Sequence, residues 1–290
     1  MGTWTMTAPG GGSGYDTLNR LMAANATWPD GTPQSFCWQY DNFGNRLQQE
    51  ASSEAFTSGS GGATACTAQS GATLATDLAS YYTNNQIQST NARGVTYMPG
   101  YDAAGNVLSD GANSYLYDAE GRVCAVESTP IPGMTAMTGY LYDADGTRVA
   151  KGTISTMSCD PTTNGFQITE NYVLGPGGEE LTMLDGNNNW QRTNVYAAGK
   201  LMGTYDLVSN VPALHFHLED PLGTRRMQLS GNPNCLGQPE TDIQSLPYGD
   251  ALYSFADQYA PATADDATPL HFTGKERDTE SGNDYFGARY

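Results

Sequence analysis

Tyr117-Asp-Ala-Glu-Gly121-Arg-Val123 is the unit from which this chain is assembled. The same tyrosine-aspartate pair, with glycine three residues after the aspartate, returns as Tyr40-Asp-Asn-Phe-Gly44-Asn-Arg-Leu47, Tyr101-Asp-Ala-Ala-Gly105-Asn-Val-Leu108 and Tyr142-Asp-Ala-Asp-Gly146-Thr-Arg-Val149. Looser copies are Tyr15-Asp-Thr-Leu-Asn-Arg-Leu21 and Tyr196-Ala-Ala-Gly-Lys-Leu201. Repetition of this kind defines architecture before chemistry. An aromatic ends one strand, Asp accepts hydrogen bonds from the backbone of its own turn, and Gly supplies the positive φ that closes it. Arg, Val or Leu then opens the returning strand. The grammar is that of β-hairpins, so the predicted fold is all-β, an antiparallel sheet of hairpin repeats.

In Tyr115-Leu-Tyr117 and Tyr140-Leu-Tyr142 the tyrosines share one strand face, which predicts a tyrosine stripe along successive hairpins. Regular spacing argues for a structural duty: cross-strand packing for the rings and turn formation for the aspartates. A functional reading would make Tyr115, Tyr117, Tyr140, Tyr142 and Trp190 a platform on which sugars stack. The supply of rings, 18 Tyr and 4 Trp, motivates it.

The chain has 290 residues, with 13 Lys plus Arg against 31 Asp plus Glu, a formal net charge of −18. A nucleic-acid partner needs a cationic footprint, so the charge argues against one, and against an anionic membrane surface. No apolar run approaches a membrane span of roughly 20 residues. The start, Met1-Gly-Thr-Trp-Thr-Met6, lacks the basic and apolar parts of a signal peptide. Cys37, Cys66, Cys124, Cys159 and Cys235 have no zinc spacing. In an oxidising compartment they allow one or two disulfides and leave at least one thiol.

Along the chain, residues 1–14 read as an irregular segment, 15–205 as repeat sheet with an insertion at 51–92, and 206–290 as a C-terminal module. Within the insertion, Ser58-Gly-Ser-Gly-Gly62 is loop-like. Ala72 to Tyr82 reads as a long insertion in preference to a short helix, because Thr and Ser interrupt the run.

The last block, Phe272-Thr-Gly-Lys-Glu-Arg-Asp-Thr-Glu-Ser-Gly-Asn-Asp-Tyr-Phe-Gly-Ala-Arg-Tyr290, is the most specific stretch. Together with Asp220-Pro-Leu-Gly-Thr-Arg225 and Pro247-Tyr-Gly249, it resembles the core-associated module of bacterial RHS (rearrangement hotspot) proteins. The tyrosine-aspartate units resemble the YD repeats of that family. The resemblance implies a spiralling shell of antiparallel sheet around a hollow interior, closed by a C-terminal plug that includes Lys275, Glu276, Arg277, Asp278 and Arg289. It also implies a secreted or cell-surface setting, and a C-terminal toxin as the cargo. This chain stops at Tyr290, so the toxin and the family's self-cleavage segment are expected to be absent from it. Asp220-Pro-Leu-Gly223 lies upstream and matches an internal family motif better than a cleavage site. At this length the expected product is a partial shell with open edges and an apolar inner face. Such a sheet calls for a homodimer through its edges, an added strand or a bound ligand.

Candidate chemistry is concentrated in His215-Phe-His-Leu-Glu-Asp220. On a strand His215, His217 and Glu219 share a face, so these and Asp220 are the candidate catalytic residues of a hydrolase, or ligands of a divalent cation. No other cofactor is expected, and no metal can be named. Asp143 and Asp145 supply half of a calcium loop without its remaining oxygens. Glu276, Asp278 and Asp284 read as members of an ion-pair network in preference to a glycosidase pair. The leading reading is therefore a noncatalytic shell segment that encloses or binds another molecule. A hydrolase with its His and carboxylate site on the concave face, or a carbohydrate-binding module, is the alternative.

Overall fold

Among the described residues of the computed structural model, every regular element is a strand, apart from one short 3-10 turn, Phe272–Gly274. The structure describes residues 3–6, 14–27, 33–54, 56–58, 64–68, 73–92, 95–131, 134–208, 210–242 and 268–287. The chain divides into two compact units, Met1–Pro99 and Gly100–Tyr290. The boundary expected at 205/206 falls inside a continuous strand.

One physical device generates the hairpins. The turns that begin at Asp16, Asp41, Tyr82, Asp102, Asp118, Asp143, Gly175, Asp185 and Asp220 all close with the same two backbone hydrogen bonds. The first residue donates its N–H to the carbonyl four residues on, and accepts from the N–H three residues on. The residue at +3 has positive φ each time: Gly44 (93°), Gly105 (90°), Gly121 (76°), Gly146 (85°), Gly178 (80°) and Gly223 (82°), with Asn19, Asn85 and Asn188 as substitutes. This is a tight turn followed by a bulge of the G1 type, which explains the register shifts beside the tyrosines, as between Leu116 and Tyr117. Where Asp is present its carboxylate completes the turn. Asp118 Oδ1 accepts from the N–H groups of Glu120 and Arg122, both at 2.9 Å, and its Oδ2 takes Arg122 Nε at 2.7 Å. Asp143, half of the supposed calcium loop, spends Oδ1 the same way on Asp145 and Thr147.

Successive repeats are tied to one another by the tyrosine. Tyr40 donates its hydroxyl to the carbonyl of Leu21, Tyr81 to Arg46, Tyr117 to Val107 and Tyr142 to Val123. Each acceptor lies five residues after the start of the preceding turn. Where the preceding repeat has Arg at +4, the guanidinium also lies over the next ring: Arg20 over Tyr40 and Arg122 over Tyr142, each 5.0 Å from the centroid.

The first unit contains β1 (Thr3–Thr5), β2 (Ala23–Thr27), β3 (Pro33–Tyr40), β4 (Arg46–Ser52), β5 (Phe56–Ser58), β6 (Thr64–Ala68), β7 (Thr73–Tyr81), β8 (Ile87–Ala92) and β9 (Val95–Tyr97). Seven of them form a sheet in the order β1-β2-β3-β4-β7-β8-β9, and β5 and β6 pair separately. The supposed insertion therefore belongs largely to the wall: β7 pairs with β4 (Gln48↔Leu78), and its described residues form no helix. Tyr81-Tyr82-Thr-Asn-Asn85 is a repeat in which Tyr82 replaces the aspartate and Asn85 (φ 71°) the glycine, so its signature is hidden. The loop read at 58–62 lies mostly outside the described residues. Cys37 on β3 is bonded to Cys66 on β6, with the buried Phe56 against them.

The described residues of the second unit form a sheet of 13 strands in strict chain order. It runs β10 (Gly100–Tyr101), β11 (Val107–Ser109), β12 (Asn113–Tyr117), β13 (Val123–Ile131), β14 (Met134–Tyr142), β15 (Arg148–Thr153), β16 (Gln167–Leu174), β17 (Glu180–Asp185), β18 (Trp190–Ala197), β19 (Lys200–Val208), β20 (Val211–Glu219), β21 (Arg225–Ser230) and β22 (Pro239–Asp242). A small hairpin comes next, β23 (Glu276–Arg277) with β24 (Asp284–Tyr285). A second disulfide, Cys124–Cys159, ties the loop after β15 back to β13, and Cys235 is a free thiol. The packed core is aromatic on one side, with Tyr115, Val123, Val126 and Tyr140 together.

Gly121 has open space around the position a Cβ would take, so Gly121→Ala tests the backbone alone. It is expected to cost about 1–2 kcal/mol in urea unfolding, and Gly121→Asn less, because Asn tolerates the left-handed region.

Candidate functional site: the seat of the C-terminal segment

Residues 268–287 lie on one face of the second sheet and meet strands from β12 to β21. Asn113 Nδ2 donates to the Ser281 carbonyl at 3.1 Å, and Asn283 Nδ2 to the Tyr115 hydroxyl at 2.7 Å. Tyr140 donates its hydroxyl to Glu280, and Tyr172 to Glu276 at 3.2 Å. At the other end Arg225 donates from Nε to the Leu270 carbonyl (3.0 Å) and from a terminal nitrogen to Thr268 (2.6 Å). The backbone N–H of Arg225 also reaches the His271 carbonyl at 3.1 Å.

At the centre sits Arg148. Its guanidinium donates to both oxygens of Asp278 (2.8 and 2.9 Å) and to Glu276 (2.6 Å), with side-chain exposures of 1% for the arginine and 0% for the aspartate. Three rings surround it, Tyr285 at 4.1 Å, Tyr140 at 5.0 Å and Tyr172 at 5.9 Å from their centroids. Lys151 adds a second cation, 3.2 Å from Asp278 and 3.3 Å from Glu280. Burial pulls both cations toward neutrality, but Glu276 and Asp278 override it and hold Arg148 and Lys151 above their ordinary values. Burial raises the Tyr172 phenol, and the charges of Glu276 and Glu170 raise it further. The cluster is buried and bordered by aromatic rings.

Arg148 and Arg225 occupy the same place in their repeats, the fifth residue after the turn begins at Asp143 and Asp220. In other repeats that slot holds Leu21, Ile87, Val107, Val123 or Trp190, but also Arg46 and Glu180. The two arginines were not among the expected site residues. Aligning the repeats on the turn places them with Arg46 and Glu180 as the charged members of that slot, and what distinguishes them is their partner, the C-terminal segment.

The plug residues divide by partner. Glu276 and Asp278 face the sheet, whereas Arg277 closes a bidentate pair with Asp284 inside the hairpin (2.7 and 2.8 Å). Lys275 lies 6.0 Å from the Phe286 ring. Arg289 and the stretch 247–249 lie outside the described residues. Tyr115, Tyr117, Tyr140 and Tyr142 all turn toward the core and spend their hydroxyls within the protein. Trp190 is half-buried, 5.3 Å from the Tyr205 ring, and donates from Nε1 to Thr193 at 2.9 Å.

The histidine strand alternates as expected, but each side chain has its own partner. His215 is an ion pair with Glu240 through Nδ1 and lies 3.1 Å from Asp206 through Nε2. His217 Nε2 meets the Thr204 hydroxyl at 2.8 Å. Glu219 accepts from the Leu201 N–H at 3.1 Å. Asp220 shapes its turn through Leu222 and Thr224 and holds Arg226 at 2.9 Å. Among the described residues no group of three or more His, Cys, Asp or Glu is placed to hold a metal ion. On this strand the buried face is polar. The exposed apolar side chains of this strand, Phe216 (39%) and Leu218 (48%), alternate with His217 (4%) and point to the opposite face.

Fold and seat together define an all-β protein of repeated hairpins whose sheet holds its own C-terminal segment. The chain is 29% identical over 182 residues to the tRNA nuclease WapA of Bacillus subtilis (strain 168), a match covering 63% of this chain and 6% of that protein. It is 27% identical over 187 residues to the tRNA3(Ser)-specific nuclease WapA of Bacillus spizizenii, covering 61% and 7%. The chain thus spans under a tenth of the length of these curated relatives. Among solved structures, the TcdB2-TccC3-Cdc42 crystal structure aligns with 95% of this chain and 18% of its own, at 14% identity and a TM-score of 0.33. The Photorhabdus luminescens Tc holotoxin pore aligns with 95% of this chain and 19% of its own, at 14% identity and a TM-score of 0.29. No protein-family profile matches the chain. No helix among the described residues is long and apolar enough to cross a membrane.

Removing one partner of a buried ion pair strands the other. Arg148→Met is expected to cost about 3–5 kcal/mol in urea unfolding, and Arg148→Lys less, since it keeps charge without the fork. The histidine pair gives a pH signature. Burial lowers the His215 value, but its bonds to Asp206 and Glu240 outweigh this and raise it above 6.5. Burial raises Glu240, but the bond from His215 outweighs this and holds it below 4.5. The His215 contribution is fully present below pH 6.5 and fades as pH rises through its folded value; that of Glu240 is present above pH 4.5 and fades as pH falls through its own. The stability difference between wild type and His215→Gln, measured by thermal unfolding, is expected to peak between those limits and to shrink on either side.

Proposed function

We propose that this chain is a noncatalytic segment of an RHS-type shell, whose sheet face encloses or binds another molecule. One observation carries the reading: residues 268–287 are seated across the face from β12 to β21 by buried Arg148 and Arg225. A face that already binds an extended polypeptide through side chains and carbonyls has the chemistry to retain a protein cargo, which the family resemblance names as a C-terminal toxin. The similarity to WapA over about three fifths of the chain supports the same reading. Two disulfides suit an oxidising compartment and so a secreted or cell-surface setting. Sheet edges at β10 and β22 offer a route to a homodimer. The carboxylates and histidines of the alternative hydrolase are engaged in turns and ion pairs, which favours the noncatalytic reading over it.

The test uses the full translation product of the gene. Limited proteolysis read by mass spectrometry is expected to leave sequence flanking the sheet protected. Digestion of all flanking sequence at the rate of an unfolded control, with the sheet intact, would remove the enclosing role. Chromogenic ester, phosphate and glycoside substrates are expected to show no turnover. Turnover abolished by His217→Ala or by a chelator would establish the hydrolase instead.

A further inference from the structure

The sheet of the second unit has a face opposite the C-terminal segment, and part of it is covered within the chain. Gly139 and Gly152 alternate along their strands with Tyr140 and Lys151, which meet the segment, so the glycines open on the opposite face. The loop after β15 fills the space above them. A Cβ on Gly139 would strike Ile154 and Phe166, and one on Gly152 would strike Phe166. The Cys124–Cys159 disulfide ties this loop down, and Leu116, Met137 and Met157 join its apolar cluster. At β16 the cover has ended: Ile168, the register partner of Gly152, is 42% exposed.

From β16 onward the same face is apolar and open. Val173, which follows Tyr172 of the segment's seat, starts a row of register partners running through Thr182, Thr193, Tyr205 and Leu214. A second row runs Val195, Gly203, Phe216 and Leu229, and a third pairs Leu218 with Met227. Residues paired in register point to one side of a sheet. The first charge met along these rows is Asp242, beyond Met227 on β22. Val173, Val195, Tyr205, Phe216 and Leu218 are between 39% and 49% exposed. The hydroxyls of Thr182 and Thr193 bond each other at 3.0 Å, so the face is built for apolar contact more than for a sugar. A continuous apolar surface of this kind marks an interaction site. At ordinary strand spacings six strands and three rows outline roughly 30 by 20 Å, about 600 Å² per copy. Two such faces together hide about 1,200 Å², which reaches the size of a stable interface. A neutral sheet face is complementary to itself, and a twofold pair hides both copies at once. The formal charge of −18 disfavours an anionic lipid surface as the alternative cover.

We propose that two copies of this chain pack sheet on sheet through the β16–β21 face. The contact leaves the edges at β10 and β22 free, and it stands whether or not the opposite face encloses a cargo. Sedimentation velocity of the full chain, over a range of concentrations at low and high sodium chloride, tests it. A reversible monomer–dimer equilibrium is expected. Because each copy is strongly acidic, salt is expected to tighten this apolar contact by screening the repulsion between copies. Tyr205→Glu and Phe216→Thr are each expected to raise the dimer Kd roughly tenfold. Their urea transitions verify that they fold, and Leu218→Thr serves in place of either one that does not. A monomer at every concentration and salt would overturn the proposal. So would a dimer that weakens as salt is added, or one indifferent to the substitutions, as a dimer through the sheet edges would be. A monomer that floats with neutral phosphatidylcholine vesicles would assign the face to lipid instead.

Discussion

The left-handed residue three places after each turn begins is the constraint on which the rest of the structure depends. Only Gly or Asn fits there without strain, and its presence forces a bulge into every returning strand. The bulge sets the direction in which that strand's side chains point. It brings the fifth residue of the turn to the packed face and places its carbonyl under the next tyrosine. A local backbone rule thereby becomes a lattice in which each repeat positions its successor. Aspartate stabilises the turn without being required by it, since Tyr82 and Gly175 start turns with the same two bonds.

The lattice also explains how charges enter the interior. Val123 and Arg148 are equivalent positions, both nearly inaccessible, yet one packs among apolar groups and the other grips the C-terminal segment. Burying Arg148 is tolerable only because Asp278 and Glu276 arrive from more than a hundred residues away in sequence. The dependence is mutual. A buried ion pair adds little net stability against an apolar core, but its loss on one side is severe, so the cluster acts as a latch specifying which segment closes the face. Arg225 does the same work through backbone carbonyls, which makes it insensitive to the segment's side chains.

Polarity is distributed unusually across the second sheet. His215, His217, Thr204 and Gln228 are buried on one face, while Leu214, Phe216 and Leu218 are exposed on the other. The polar face is tied together by cross-strand bonds such as Thr204 to Asn194 and to His217. Strand alternation alone put the histidines together; it did not reveal that Glu240, on the last strand of the sheet, pairs with one of them.

Much was legible in the sequence because it is local. Tyr-Asp-x-x-Gly determines turn, bulge and strand direction within seven residues, so the all-β class and the hairpin order arise from it. The ionic role of Glu276 and Asp278 was also readable from charge alternation. The strands near 73–92 escaped notice because Asn85 and Tyr82 stand in for the expected residues, and Ser and Thr obscure the apolar pattern. The disulfide partners and the pairing of Arg148 with Asp278 depend on segments far apart in the chain. Tertiary structure alone decided these, for a physical reason: the sequence repeats specify how each strand meets the next, whereas charge neutralisation arises where non-neighbouring segments are pressed onto one face.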